Sequence, residues 1–369
     1  AVASIGGTPE EIFSALCDGT SGVHELRAFD LDRFHARHAY EIDDRSPAGQ
    51  DAPGRATKWL CRAIGQALSA AGMPHDLTDI PVLAGSTFVE RRSAELWWRD
   101  GARLEPADLF FDAAIRSAFG AVRTYTPASA CAASLYALGM ATDLIALDQA
   151  DIAVVAGADS IPESAFGMMD RVQNQIPYAV LPLDRARRGM LMGEGAAAIV
   201  LKRSGPGQRP AARVLGVGMN CDGEHPTKPS RDGIARVTRD AHDRAGVRPA
   251  DVDLVMLHGT GTQLNDETEL AALRDVFEDA PALPYVTAIK SMTGHTSGGS
   301  GLLSLIMGVL AMNRGMVPAI LGLTDPIEGA RGFKVPAPRP ATAQLQVTQV
   351  NAVGLGGLNA VAIVSKAAA

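Results

Sequence analysis

Two long apolar runs constrain what this chain can fold into. The first, Ala132–Leu147, carries apolar residues on nearly every side of a helix, and the second, Leu302–Met312, has the same character. A helix that is apolar all round is buried, so it needs other layers of structure around it. Each run is entered from a strand-like segment through a turn of small residues. The sequence therefore predicts a duplicated architecture with one buried helix in each half.

Strands alternate with helices along the rest of the chain, as in layered α/β folds. The predicted helices are Pro9–Cys17, Ala56–Ala71, Ala132–Asp148, Ile234–Ala245, Asp266–Phe277 and Leu302–Met312. The predicted strands are Ile80–Ala84, Val122–Thr126, Ile152–Ala156, Ala196–Leu201, Ala212–Val217, Val252–Leu257, Tyr285–Ala288, Gln346–Asn351 and Ala360–Val364. The Gly/Pro-rich segment Arg203–Pro210 is the one clear break. It divides the chain into halves of residues 1–204 and 205–369.

Cys131 lies where the strand-like segment Thr124–Ala130 gives way to the first apolar helix. Such a turn has unpaired backbone N–H groups and the positive end of the helix dipole, and both favour the thiolate. The thiolate is the nucleophilic form of cysteine. An isolated cysteine is as often a buried, inert residue, so this segment alone leaves both interpretations open.

Two histidines occur in glycine-rich turns downstream. His258 ends the apolar run Val252–Leu257 and is followed by two glycines within three residues, and His295 precedes the glycine-rich segment Gly298–Gly301. Glycines allow close backbone approach, so a histidine at such a strand end can meet a ligand. Either histidine alone would be interpreted as structural. Together with one thiol, they indicate cysteine nucleophilic catalysis on a thioester.

Six motifs in a fixed order extend this pattern. They are Ser129–Ser134, Leu183–Gly189 with Gly193–Gly195, His258–Thr262, Asp266 with Glu269, Lys290–His295, and Gly354–Asn359. The set resembles that of the β-ketoacyl synthases, the condensing enzymes of fatty-acid and polyketide assembly. The resemblance spans most of the chain and implies the thiolase-like fold, an α/β fold whose two similar halves form α-β-α-β-α layers.

The resemblance also implies a role for each matching residue. Cys131 matches the nucleophile that accepts an acyl chain, and its backbone N–H and that of Leu355 match the oxyanion hole. His258 and His295 match the pair that assists decarboxylation of a malonyl extender, and Lys290 matches the lysine that supports them. Asp266 and Glu269 match supporting residues. Fixed N–H donors suit a thioester oxyanion, and neutral imidazoles suit the enolate left by loss of carbon dioxide.

The same resemblance implies the partners. The acyl and malonyl groups would arrive on the phosphopantetheine of an acyl carrier protein, and no cofactor or metal is expected. A dimer is expected, either of two identical chains or with a related subunit, paired across the segment Arg123–Thr126. An unpaired strand there would otherwise be an aggregation hazard.

The sequence departs from the family pattern in three places, and the first two concern specificity. Val353 and Leu355 stand where the family has phenylalanines, which predicts a more permissive gate over the thiol. The alternative is that aromatic side chains elsewhere replace the lost phenylalanine bulk. Trp97, Trp98 and Phe111 are the candidates, because they lie in the stretch Phe88–Arg123, which departs from the family where it builds part of its acyl pocket. The first strand of the fold is expected to lie before residue 1, since the chain opens at Ala1 in the following turn.

Composition narrows the class of protein. A net charge of −7 argues against a nucleic-acid binder, and no apolar run is long enough to span a membrane. Four cysteines without paired spacing suit a reducing compartment, so a cytoplasmic location is expected. The arginines of the Leu183–Gly189 motif are interpreted as structural.

Several alternatives stay open or are disfavoured. A zinc site would use Cys and His, but no Cys-x-x-Cys or His-x-x-x-His spacing occurs. A phosphate-binding loop is disfavoured, because no glycine run in this chain is followed by the Lys-Ser/Thr that such a loop needs. A non-catalytic subunit that sets chain length for a partner would usually lack the cysteine, and Cys131 is present. An enzyme that only transfers acyl groups, without elongating them, remains open.

Overall fold

The computed structural model describes residues 1–45 and 51–367. The helices of these residues are α1 (Pro9–Asp18), α2 (Arg55–Ala70), α3 (Arg91–Asp100), α4 (Asp112–Phe119), α5 (Ala133–Ala146), α6 (Glu163–Val172), α7 (Arg231–Ala245), α8 (Gln263–Val276), α9 (Lys290–Thr293) and α10 (Ser300–Arg314). The strands are β1 (Val2–Ala3), β2 (His24–Glu25), β3 (His38–Ala39), β4 (Val82–Gly85), β5 (Thr124–Tyr125), β6 (Ile152–Asp159), β7 (Gly195–Lys202), β8 (Ala212–Cys221), β9 (Leu254–Met256), β10 (Tyr285–Thr287), β11 (Met316–Val317), β12 (Ala341–Thr342), β13 (Val347–Val353) and β14 (Leu358–Lys366). Every predicted helix and strand has a counterpart.

Two five-stranded sheets of the described residues have the same internal pattern. The first has the order β1-β7-β6-β4-β5, and the second has the order β8-β14-β13-β9-β10. In both, the first three strands pair antiparallel and the last three pair parallel. The predicted duplication is therefore present. We propose residues 1–204 and 205–369 as the two halves, of which residues 46–50, 368 and 369 lie outside the described part.

The two apolar helices lie between the sheets. α5 contacts β4 and β6 of the first sheet and β8 of the second, and α10 contacts α5, β7 and β13. On the outer faces, α2 covers β6 and β7, and α7 covers β8 and β14. This gives the α-β-α-β-α layers that the sequence predicts. The end of α5 is less buried than its composition suggests, because Met140 is 40% and Leu147 is 67% exposed.

The turns into α5 and α10 are also related. Ala130 precedes Cys131 with φ of +47°, and Ser297 precedes Gly298 with the same φ. A residue with a side chain rarely adopts this left-handed conformation, which the surrounding structure must hold in place. The duplicated turn therefore places Cys131 in one half where Gly298 lies in the other.

Two expectations need correction. A first strand wholly before residue 1 is wrong, because Val2 and Ala3 already pair with Ala196 and Gly195 of β7. A strand of only two residues shows no alternation of apolar and polar side chains from which the sequence could predict it. The segment Thr124–Ala130 is not one strand either. Pairing ends at Tyr125, and a loop with Pro127 leads into the turn at Ala130.

Candidate active site

One cavity of about 490 Å³ brings the predicted residues together. Five of them line it, and its apolar wall comes from other segments of the chain. The five predicted residues are Cys131, His258, His295, Val353 and Leu355, and the apolar wall includes Phe88, Met168, Met169, Val172, Met190 and Met192. The cavity therefore combines a thiol and two imidazoles with space for an apolar chain.

Cys131 lies in a short 3₁₀ turn, Ala130–Ala132, directly before α5. Burial raises the pKa of its thiol to about 11, and the positive charge of Lys290 and the backbone N–H groups of Leu355 and Cys131 only partly oppose this. The backbone N–H groups favour the thiolate, as expected, but the net change in pKa is upward, so the group is a protonated thiol at neutral pH. Burial outweighs the favourable dipole because a thiolate loses its hydration. The same two N–H groups face the sulfur, so they lie close to a carbonyl that the sulfur would attack and could bind its oxyanion.

The Leu355 loop is held close to the nucleophile by glycine. A Cβ on Gly354 would lie 3.4 Å from the Cys131 nitrogen, and Gly356 and Gly357 have φ of +81° and +78°. Leu355 itself is 41% exposed in the cavity wall, and Val353 is buried beside it. The loop therefore presents a backbone donor to the thiol and a flexible aliphatic side chain to the cavity.

The two histidines are adjacent. The ring centroids of His258 and His295 are 5.1 Å apart, and the rings are nearly perpendicular at 84°. Within the described residues, His258 Nδ1 and both ring nitrogens of His295 are buried without a hydrogen-bond partner. Burial, with the charge of Lys290, holds the pKa of each imidazole well below its ordinary value. Both rings are therefore neutral at neutral pH and free to bind a substrate oxygen.

Lys290 lies behind the histidines at the start of α9. Its ammonium donates to the carbonyl oxygen of His258 at 2.5 Å. Burial lowers the pKa of Lys290 to about 8, and the negative charges of Glu269 and Asp266 limit this fall. The lysine thus fixes the His258 backbone and supplies a positive field to the site.

Asp266 and Glu269 lie on α8, which starts at the N-cap residue Thr262 of the His258 motif. Glu269 accepts the backbone N–H groups of His258 and Gly259 at 2.7 and 2.9 Å. Asp266 accepts the N–H of Leu183 at 2.9 Å, and burial raises the pKa of its carboxyl to about 6. These carboxylates hold the loops of the site and do not line the cavity.

Sequence reasoning missed one residue of the site, Asp159. It ends β6 and accepts hydrogen bonds from Ser86 Oγ and from the backbone N–H groups of Thr87, Phe88 and Gly298, at 2.6 to 3.0 Å. Burial raises the pKa of its carboxyl to about 6. The carboxylate ties a cavity-wall loop to the turn that follows His295. An aspartate directly after a buried strand is the signal that could have revealed it.

The structure also locates the aromatic residues that could replace phenylalanine bulk at the gate, and the arginines of the Leu183–Gly189 motif. Trp97 and Trp98 are 52% and 82% exposed, Phe111 is buried in the core of the first half, and none of them lines the cavity. They do not replace the bulk missing at Leu355. Arg187 is buried and donates to Glu267 at 2.7 Å and to the carbonyl oxygen of Asp184, as its structural interpretation requires, whereas Arg188 lines the cavity and does not fit that interpretation.

Within residues 1–45 and 51–367, His, Cys, Asp and Glu side chains form no group of three that could hold a metal ion. Over the same part of the chain, none of the helices combines the length and the apolar character needed to cross a membrane.

Comparison with known proteins agrees with the architecture. The structure matches the ishigamide ketosynthase/chain length factor with a TM-score of 0.88 and 32% identity, covering 100% of this chain and 97% of that one. The 3-oxoacyl-[acyl-carrier-protein] synthase 2 of Coxiella burnetii is 26% identical over an alignment of 403 positions, which covers 99% of this chain and 96% of that protein. The protein of that name from Rhizobium meliloti is 33% identical over 63% of this chain and 58% of its own length.

The sequence families agree as well. The family described as Beta-ketoacyl synthase, N-terminal domain, matches residues 1–205, and its C-terminal domain family matches residues 211–324. The chain belongs to the β-ketoacyl synthase family. The resemblance, the thiolase-like fold and the acyltransferase class predicted from the sequence are thereby confirmed.

Proposed function

We propose that this chain is an elongating β-ketoacyl synthase that condenses an acyl chain held on Cys131 with a malonyl group on an acyl carrier protein. The observation that carries this proposal is the meeting of Cys131, His258 and His295 at one cavity. The relative from Coxiella burnetii is named for the acyl carrier protein, which supports a carrier thioester as the substrate.

The first half-reaction loads the acyl chain. The Cys131 sulfur attacks the thioester carbonyl, and the N–H groups of Cys131 and Leu355 stabilise the oxyanion. Because the thiol is protonated at neutral pH, its proton has to leave as the sulfur attacks, and it departs with the phosphopantetheine thiol. The acyl chain then lies in the cavity and packs against its methionine-rich wall.

The second half-reaction forms the carbon–carbon bond. Loss of carbon dioxide from the malonyl group leaves an enolate, whose oxygen is bound by the neutral rings of His258 and His295 in the field of Lys290. The enolate carbon attacks the acyl carbonyl on Cys131. The Cys131 thioester bond breaks, the β-ketoacyl chain leaves on the carrier protein, and the thiol regains a proton.

Two related roles compete with elongation. A subunit that only sets chain length, or an enzyme that only transfers acyl groups, would share this fold. The presence of all three cavity residues favours elongation, because transfer alone needs no enolate-binding pair. The solved ketosynthase/chain length factor shows that relatives at this level of identity include paired subunits.

Pairing through β5 is part of the proposal. This strand is at the edge of the first sheet; Tyr125 within it is 42% exposed, and Val122, two residues before it, is 59% exposed. An edge with apolar side chains suits pairing with β5 of a second copy or of a related subunit. Neither a nucleic acid nor a membrane is proposed as a partner. A cytoplasmic location fits the four cysteines, which are all free thiols.

Decarboxylation tests the assignment of the histidines. His258→Ala and His295→Ala should each slow product formation from malonyl carrier protein by at least about 100-fold, since each removes a group that binds the developing charge. His75→Ala, an exposed histidine outside the cavity, is the matched control. Condensation at the wild-type rate in both cavity variants would refute the proposal.

A further inference from the structure

A row of buried polar side chains leads from His258 away from the cavity. Gln349 and Asn351 lie two residues apart on β13, Glu269 lies on α8 and His242 lies on α7. All four are 3% exposed or less. Burying polar groups in an apolar layer is unfavourable unless they are hydrogen-bonded, so a row of this length requires a compensating interaction.

The four side chains form a continuous hydrogen-bonded chain. His242 Nε2 lies 2.8 Å from Gln349 Oε1. Gln349 Nε2 donates to Asn351 Oδ1 at 2.8 Å, and Asn351 Nδ2 donates to Glu269 Oε1 at 3.0 Å. The chain therefore joins the outer helix α7 to the carboxylate that holds the His258 backbone.

The direction of every bond follows from the carboxylate. Both Glu269 oxygens accept backbone N–H groups, so Asn351 must present its NH₂ group to Oε1. The Asn351 oxygen then faces Gln349, which must present its own NH₂ group. The Gln349 oxygen therefore faces His242, whose Nε2 must carry a hydrogen. All donors point towards Glu269, and chains of this kind strengthen each bond along them.

Glu269 transmits this order to the active site. Its Oε1 accepts both the Asn351 side chain and the His258 N–H, and its Oε2 accepts the Gly259 N–H. The carbonyl of His258 is held by Lys290. Both peptide groups of His258 are thus fixed, so a small rotation of Glu269 would displace the imidazole from the enolate oxygen.

We propose that His242 and Gln349 are positioning residues for the decarboxylation half-reaction: they orient Asn351 and Glu269, which fix the His258 backbone. This inference rests on the proposed function of His258. His242 does not contribute to the site through its charge, because burial lowers the pKa of its imidazole and keeps the ring neutral. It acts as a hydrogen-bond donor, and the edge of its ring packs against Phe277 at a centroid distance of 5.9 Å.

The test separates positioning from stability. His242→Leu removes the donor, and His242→Gln restores an N–H donor at the same place. Thr238→Val is the matched control, because Thr238 is a buried polar residue one turn earlier on α7. Within the described residues its hydroxyl bonds only to the carbonyl of Ile234, at 2.8 Å. Decarboxylation of malonyl carrier protein and acyl loading of Cys131 are measured separately for each variant.

We expect His242→Leu to lower kcat for decarboxylation about tenfold, with KM and the loading rate within twofold of wild type. This corresponds to the loss of one buried hydrogen bond felt in the transition state. His242→Gln should recover to within threefold, and Thr238→Val should match wild type. Equal losses in loading and decarboxylation, or no recovery in His242→Gln, would overturn the inference.

Two further comparisons keep the outcome decisive. Should His242→Leu not fold, the double variant His242→Leu with Gln349→Leu removes the Gln349 oxygen and leaves Asn351 Oδ1, next to Glu269, as the unpaired oxygen, so at least the same selective loss is expected. Normal decarboxylation in the double variant would overturn the inference. Should His258→Ala remain fully active, the proposed function fails; should only the His242 variants remain fully active, the inference alone fails.

Discussion

Replacing Lys290 by methionine should make the protein more stable at neutral pH while removing most of its activity. Burial lowers the pKa of Lys290 from its usual 10.5 to about 8. The difference between these pKa values makes the charged lysine unfavourable in the folded state by about 3 kcal/mol at pH 7. Its hydrogen bond to the His258 carbonyl returns about 1 to 2 kcal/mol. The net gain of Lys290→Met is therefore about 1 to 2 kcal/mol.

The pH dependence gives the sign of this effect. The folded state binds the Lys290 proton less tightly than the unfolded state, so the destabilisation is complete below about pH 8. It disappears as the pH rises through the unfolded value near 10.5. The stability advantage of the variant should fall by about 2 kcal/mol between pH 7 and pH 9.5.

Urea unfolding at the two pH values measures this change, and Lys58→Met, at an exposed lysine on α2, is the control. Its stability difference from wild type should be the same at both pH values. A Lys290→Met difference that is also independent of pH would refute the argument from burial. The same variant should decarboxylate malonyl carrier protein at least about 100-fold more slowly, because the positive field at the enolate is lost.

Two other predictions concern the gate and the dimer. Leu355→Phe should reduce loading of long or rigid acyl chains while short chains still load, because an aromatic ring fills more of the cavity beside Cys131; an unchanged chain-length profile by intact mass would place selectivity elsewhere. Tyr125→Asp should give a monomer by light scattering at micromolar concentration, because it puts a charge on the exposed face of β5, whereas Tyr178→Asp, at a tyrosine 56% exposed elsewhere, should leave the dimer intact. A dimer in both variants would exclude pairing through β5.

Strong hydrophobic patterns made the central layers predictable. α5 and α10 were recognised because their apolar residues are continuous, and the strands around them because each is a short apolar run. α3, α4, α6 and the single-turn α9 are not among the predicted helices, and α3 shows one reason. α3 has the sequence Arg91–Asp100 with five charged residues and two exposed tryptophans, so its few buried positions do not form a recognisable stripe.

The site was predictable where motifs carry it and hidden where packing alone creates it. Cys131, His258 and His295 lie in glycine- or small-residue-rich turns, which the sequence displays. His242 lies among charged residues of α7 and would be interpreted as solvent-exposed; only the packing of α7 on the second sheet buries it. The protonation of Cys131 was equally hidden, because burial depends on residues distant in sequence.

The central claim is that Cys131 carries the acyl chain and that malonyl carrier protein then removes it. Intact-mass analysis with peptide mapping, using a panel of acyl carrier thioesters, tests this directly. We expect an acyl adduct on the Cys131 peptide that disappears when malonyl carrier protein is added. Cys131→Ala should take up no acyl group, while Cys221→Ala, at an exposed thiol, should load normally. An adduct on Cys17, Cys61 or Cys221, or an adduct on Cys131 that malonyl carrier protein does not discharge, would contradict the account.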